Sequence, residues 1–163
     1  VEKHRGARGV QAAAVLVTLP RMSTPAAAAP TAARFHLSLS VKDLELTRGF
    51  YAGVLGCPQG RRGADWLDFS FFGHQLTCAL RPDRVAPADA ADLAGRHFGA
   101  IIPAEAFDRL ARQLAAARAT FLVEPHAEEA GTARERRKMI VLDPSGNAIE
   151  LKTYRDESLL FST

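Results

Sequence analysis

His36, His97 and Glu150 are the residues whose types and positions could do metal chemistry in this chain. Two neutral imidazoles and one carboxylate suit Fe(II), Mn(II) or Zn, and three donors on one face of an ion leave its other positions open for water, substrate or oxygen. Lysine in place of either histidine would supply charge but no neutral nitrogen donor at pH 7. Each residue also has an ordinary reading: a strand histidine is commonly a polar surface or core residue, and a strand glutamate commonly faces solvent or pairs with a basic neighbour such as Lys152. What raises the set above its members is where the chain puts them.

The segment 35–41 alternates with period two, predicting a strand with Phe35, Leu37, Leu39 and Val41 on an apolar face and His36, Ser38 and Ser40 on a polar one. Asp43 is placed to cap a helix carrying Leu44, Thr47, Phe50, Tyr51, Val54 and Leu55, which Gly56 and Pro58 end. Residues 66–72 and 74–80 read as two strands around a turn at Gly73. After a linker rich in Pro, Ala and Asp from Arg81 to about Ala94, the order recurs. A strand is expected over 97–102, then a helix over 105–117 with Phe107, Leu110 and Leu114 at helical spacing, then strands from Phe121, over 137–142 and over 147–154.

The expected fold class is therefore α+β: two βαβββ repeats, about 35–81 and 96–154, forming a curved mixed sheet around a shared cavity. His36 and His97 open the first strand of each repeat. Aligning Gly73–Thr77 with Gly146–Glu150 puts Thr77 in the first repeat where Glu150 stands in the second. Strand parity turns Gln75, Thr77 and Tyr154 towards the cavity as candidate substrate-binding residues, with Tyr154 also a candidate catalytic group. The same parity turns His74 the other way, into a structural position, unless a bulge after Gly73 reverses it and makes His74 an acid/base or a fourth ligand. Asp143-Pro144-Ser145-Gly146-Asn147 reads as a tight turn that steadies the strand delivering Glu150. Arg134, Arg136, Arg137 and Lys138 read as a solvated run, or as a lid attracting an anionic substrate.

The 163 residues suffice for one domain or two small modules sharing a core, and 47% apolar with 24% charged residues reads as globular. The formal net charge of +3 is misleading about partners. Residues 1–34 carry Lys3, Arg5, Arg8, Arg21 and Arg34 against Glu2, whereas the remainder is nearly balanced, so the basic balance says little about the partner. The apolar run from Gln11 to Leu19 stops at Pro20 and is too short to span a membrane. Residues 1–34 are expected to form a disordered leader or extension with Met22 a candidate initiator, a targeting segment being the alternative. The domain is expected over 35–157, with a tail over 158–163. Cys57 and Cys78 fall at no recognisable spacing and read as reduced, buried thiols.

The stretch from Phe35 through Arg48-Gly49-Phe50-Tyr51 and Val54-Leu55-Gly56 resembles the vicinal oxygen chelate superfamily, as does Leu142-Asp143-Pro144-Ser145-Gly146-Asn147-Ala148-Ile149-Glu150-Leu151. That superfamily takes in glyoxalases, extradiol dioxygenases, and fosfomycin- and bleomycin-resistance proteins. Residues 66–69 and 71–76 are most similar to small bacterial relatives of extradiol dioxygenases. The resemblance implies that His36, His97 and Glu150 are metal ligands, with Fe(II) favoured and Mn(II) or Zn as alternatives. Thr77 matches the fourth-ligand position of glyoxalase I and is a poor replacement there, which implies an open three-ligand site. The implied function is a metal-dependent dioxygenase-like enzyme acting on a small catechol-like or vicinal-oxygen substrate. The rivals are another metal-dependent lyase, isomerase or thiol transferase of this fold, and a non-catalytic drug- or metabolite-binding protein. The expected partners are a small-molecule substrate and a second copy of the chain, since open sheet edges need covering; no nucleic acid or membrane is expected, and the expected location is cytoplasmic.

Overall fold

The computed structural model describes residues 33–89, 91 and 96–161; the leader expected over 1–34 lies outside the described residues up to residue 32, as do parts of the linker and the end of the tail. The period-two segment at 35–41 forms β1 (His36–Val41), whose Leu37, Leu39 and Val41 reach the core while Phe35, just before it, stays exposed. Asp43 caps α1 (Leu44–Arg48), its carboxylate accepting the Leu46 N–H at 2.8 Å. The helix then widens into a π-helical segment, Gly49–Val54, before Gly56 takes a left-handed φ of 70°. A short strand follows that has no apolar pattern, β2 (Gln59–Arg62); being at the sheet edge and exposed along its length, it needs none. The hairpin of β3 (Trp66–Phe71) and β4 (His74–Leu80) turns on Phe72 and Gly73, both at positive φ.

The second repeat comprises β5 (Phe98–Ile101), α2 (Ala104–Ala116), β6 (Phe121–Glu128), β7 (Arg136–Leu142) and β8 (Ala148–Tyr154). Pro125 is tolerated within β6 because that strand is at an edge and its pairing shifts register between Val123 and His126. The two repeats share one topology, β1-β4-β3-β2 and β5-β8-β7-β6, with the outer pair parallel and the others antiparallel. Ser38 pairs with Thr77 and Gly99 with Glu150, so His36 and His97 occupy equivalent positions, as do Thr77 and Glu150.

The expectation of a single curved mixed sheet around a shared cavity is not met. Hydrogen bonds divide the strands into two separate four-stranded sheets, and neither closes. A continuous sheet would need a strand pairing across the repeat boundary, and among the described residues β1 and β5 are each paired on one side only. What joins the repeats is the core. Phe50 and Tyr51 from the π-helical segment, Phe107, Leu110 and Leu114 from α2, and inward residues of both sheets form one cluster. Each fully buried side chain of this size contributes about 1.5–3 kcal/mol.

The turn at 143–147 fastens the repeats together as well as connecting β7 to β8. Asp143, buried, accepts the backbone N–H groups of Ser145 and Asn147 through Oδ1 at 2.8 and 2.9 Å, and the Asn147 amide and the Tyr51 hydroxyl through Oδ2 at 2.9 and 3.0 Å. Lys42 N–H donates to Ser145 Oγ, and Asn147 Nδ2 donates to the Ser40 carbonyl. The end of β1 is thereby tied to the start of β8. Gly146, at φ 92°, lies under Pro87, and its carbonyl accepts the Ala88 N–H, which pins the linker to the same turn.

Candidate metal centre and substrate pocket

Glu150 lies in the interior of β8, where Ile149 and Leu151 face the core and Glu150, Lys152 and Tyr154 face the other way. Across the β5 pairing, Gly99 stands opposite Glu150 and Ile101 opposite Lys152. A Cβ at Gly99 would overlap the Glu150 carbonyl oxygen, so glycine is what lets β5 approach β8 here. This close approach brings His97 Nε2 to 3.3 Å from Glu150 Oε2. Two donors at that separation can both reach one transition-metal ion at about 2.0–2.2 Å. They sit at one wall of a pocket of about 540 Å³ that Phe72, His74, Phe98 and Tyr154 also line.

The same Glu150 oxygen is 2.7 Å from the Lys152 ammonium. The carboxylate is 10% exposed and the lysine 31%, so the ordinary strand pairing of glutamate and lysine is present here alongside the histidine contact.

His36 is not part of this group. It is exposed and lines pockets on the first sheet, of about 350 and 390 Å³, with Arg61, Asp68 and Gln75. Among the described residues no three His, Cys, Asp or Glu side chains stand together as a metal site. One chain therefore brings together two of the three expected ligands and does not fit a complete three-ligand centre.

Gln75 and Thr77 share the polar face expected from parity, but on the His36 side. Thr77 Oγ1 donates to Asp68 Oδ1 at 2.6 Å, and Gln75 Nε2 and Arg61 Nη2 donate to Oδ2 at 3.0 and 3.1 Å. Burial by itself would raise the Asp68 carboxyl, but the hydrogen bonds from Thr77, Gln75 and Arg61 outweigh it and hold the group below the usual carboxylate range. No sequence motif marks Asp68, although its alternation with Leu67 and Phe69 puts it on the face of Thr77, its partner in register.

His74 lines both the Glu150 pocket and a His36 pocket. Its Nδ1 accepts the Phe35 backbone N–H at 3.1 Å, so a neutral His74 carries its proton on Nε2 and offers a donor. The basic run divides by strand parity. Arg137 turns towards α2, bonding Asp108 at 2.7 Å and lying over the Phe107 ring, whereas Arg136 and Lys138 both bond Glu128 at 2.6 Å. Those bonds, from Lys138 first and Arg136 second, pull the Glu128 carboxyl down to about 2. Lys138 stands directly opposite Lys152, and Arg136 opposite Tyr154. Cys57 and Cys78 are buried free thiols.

Among the described residues, no helix is long and apolar enough to cross a membrane. The family model described as Glyoxalase/Bleomycin resistance protein/Dioxygenase superfamily matches residues 34–151. A glyoxalase/bleomycin resistance protein/dioxygenase from Alicyclobacillus acidocaldarius is 30% identical, with a TM-score of 0.70, over 80% of this chain and 97% of that one. The fosfomycin resistance protein FosX of Listeria monocytogenes (17% identity, TM-score 0.62, 77% and 95% covered) shares the fold. So does a lactoylglutathione lyase from Agrobacterium tumefaciens (20% identity, TM-score 0.55, 82% and 98% covered). With the duplicated topology, the pocket on β8 and these matches together, the chain belongs to the glyoxalase/bleomycin resistance protein/dioxygenase superfamily.

Proposed function

We propose that this protein is a metal-dependent, dioxygenase-like enzyme acting on a small catechol-like or vicinal-oxygen substrate in the pocket beside Glu150. The observation that carries the reading is the convergence of His97 Nε2 and Glu150 Oε2, 3.3 Å apart, on the wall of a substrate-sized pocket. His97 and Glu150 would hold a divalent ion, Fe(II) in the favoured version and Mn(II) or Zn otherwise. The third ligand would be His36 of a second copy. His36 and His97 stand at equivalent positions at the start of β1 and β5, both edge strands, so pairing copies along these edges would bring one histidine of each kind together.

When bound, the ion would supply Lewis-acid polarisation of the substrate oxygens. The chain's own contributions are positional. Phe72 and Phe98 offer apolar walls for a ring, Tyr154 a phenol, and His74 a proton-bearing Nε2 at the pocket rim; His74 and Tyr154 are the candidate acid/base groups. Gln75 and Thr77 would line the substrate site only through the same pairing of copies.

The test is reconstitution of anaerobically purified protein with Fe(II), followed by oxygen uptake and product analysis on a catechol panel. Ring cleavage with one metal per site, lost in His97→Ala and Glu150→Gln, is expected. Stoichiometric metal without turnover on any catechol would refute the dioxygenase chemistry, and products of isomerisation or thiol addition would assign the fold's other reactions. The Lys152–Glu150 bond favours a second reading, sequestration of a small molecule without metal. Ligand binding that survives both chelation and His36→Ala would establish it.

A further inference from the structure

A bulge in β2 aims one arginine across the first sheet. Gln59 pairs with Phe69 and Arg62 with Leu67, so Gly60 and Arg61 together stand opposite Asp68. The extra residue turns the Arg61 side chain onto the face of Asp68, Gln75 and Thr77. There its Nε and Nη2 donate to Asp68 Oδ2 at 3.3 and 3.1 Å, and its guanidinium lies 5.8 Å from the centre of the Trp66 ring. Trp66 is itself seated against Gly63, where a Cβ would overlap the indole. A surface arginine ordinarily samples many rotamers. This one, 77% exposed, is held by a carboxylate that is 6% exposed and, on one side, by an indole. An exposed arginine–carboxylate pair contributes little to stability by itself, so steadying the sheet edge accounts poorly for a bulge and a buried acceptor spent on it.

We propose that this face of the first sheet is a binding site for a small carboxylate with an aromatic body, the carboxylate seated on the outward edge of the Arg61 guanidinium and the body against Trp66. The hold on Asp68 uses only Nε and one Nη2 hydrogen, which leaves the Nη1 donors and the second Nη2 hydrogen for a ligand. Two such parallel N–H groups match a planar carboxylate. Asp68 does not repel it at close range, because Thr77 Oγ1, Gln75 Nε2 and Arg61 itself occupy its acceptors from within the sheet. The surrounding wall keeps a positive balance. Arg34, Arg61 and Arg81 line the two adjoining pockets of about 350 and 390 Å³, against Asp68 and the Asp65 that Arg81 bonds. Phe35, Phe69 and Trp66 supply apolar surface beside the arginine. Asp68 is then a positioning residue and Arg61 the group that touches the ligand. The site needs neither a metal nor a second copy of the chain, and so goes beyond the reading above.

The probe is benzoate, titrated into the full chain in the presence of a chelator. Trp66 is the sole tryptophan of the chain, so its fluorescence reports on this site, while calorimetry measures binding anywhere on the protein. Saturable benzoate binding with a Trp66 response is expected, and benzamide, the uncharged isostere, should give neither. Arg61→Met should weaken benzoate roughly 10- to 100-fold, the effect of losing hydrogen bonds to a charged group. Arg61→Lys keeps the charge and a partner for Asp68 but loses the fork, and should fall between that variant and the unmodified protein. Arg62→Met removes the same charge from the next residue of β2, outside both pockets, and should leave the affinity nearly unchanged. Equal weakening by Arg61→Met and Arg62→Met would mean diffuse attraction to a basic surface, and calorimetric binding without a Trp66 response would put the benzoate elsewhere. Either result would overturn the proposal, as would equal binding of benzamide or no binding of benzoate. If Arg61→Met is unfolded by circular dichroism, Arg61→Lys decides the matter, and an unchanged benzoate affinity in it would overturn the proposal. None of these outcomes touches the metal reading, which reconstitution with Fe(II) tests separately.

Discussion

Replacing Asp143 should loosen the joint between the repeats more than any other single change in the turn. The carboxylate is 4% exposed and accepts four hydrogen bonds, from Ser145 N–H, Asn147 N–H, Asn147 Nδ2 and the Tyr51 hydroxyl. A hydrogen bond to a charged group contributes about 1.5–3 kcal/mol, and bonds sharing one acceptor do not add fully. Asp143→Ala is therefore expected to cost about 3–5 kcal/mol, most of it from stranding the buried donors. Tyr51→Phe removes one of the four and should cost about 1–2 kcal/mol, with a coupling of about 1–2 kcal/mol in the double-mutant cycle. Urea denaturation followed by circular dichroism measures both, and Asp143→Asn, which keeps the shape but loses half of the acceptors, should fall between them. A cost below about 1 kcal/mol for Asp143→Ala, or a coupling indistinguishable from zero, would refute the claim that this turn fastens the repeats. Since Lys42 and Ser40 at the end of β1 bond Ser145 and Asn147, hydrogen exchange should also rise in β1 in the alanine variant.

One further substitution and one change of pH test the remaining structural claims. Gly99→Ala must push β5 away from the Glu150 carbonyl; it should cost about 2–4 kcal/mol, a strand pairing's worth of hydrogen bonds plus strain, and it should abolish metal binding while a hydrophobic core probe stays native. Retained metal affinity would show that the β5–β8 approach does not position His97. Alkali should unfold the protein through groups buried in protonated form. Burial pushes the Cys57 thiol from 9.0 up to about 11 and Cys78 higher still, and burial followed by the charge of Asp143 raises Tyr51 well above 10.0. All three folded-state values lie above the unfolded ones, so their contribution is complete below about pH 9 and is lost as pH rises through and beyond that point. For Cys57 alone the rise corresponds to roughly 3 kcal/mol. A urea midpoint that stays flat between about pH 8 and pH 11 would contradict this.

Much of the architecture could be read from local pattern, because period-two and helical spacings are properties of neighbouring residues. The alternation at 35–41 marked β1, the Phe107–Leu110–Leu114 spacing marked α2, and Asp143–Asn147 announced its turn. The internal repeat was legible for the same reason, and the pairings of Ser38 with Thr77 and of Gly99 with Glu150 bear out the equivalence of His36 with His97. β2 escaped because an edge strand exposed along its whole length has no apolar face to leave a pattern. Asp68 escaped because a carboxylate is marked as buried only by partners contributed from other segments, Arg61, Gln75 and Thr77.

The residue types at 36, 97 and 150 determined which donors this chain can offer a metal, and strand parity determined that they face away from the core. Which of them meet depended on the packing of one sheet relative to the other. Strand periodicity carries no information about whether two edges are joined, and here β1 and β5 each remain at an edge, so His97 and Lys152 reach Glu150 while His36 lies in another pocket. Only the tertiary arrangement, which depends on long-range pairing and on the shared core, decided that His97 meets Glu150 without His36 and that a lysine two residues from the glutamate bonds its carboxylate.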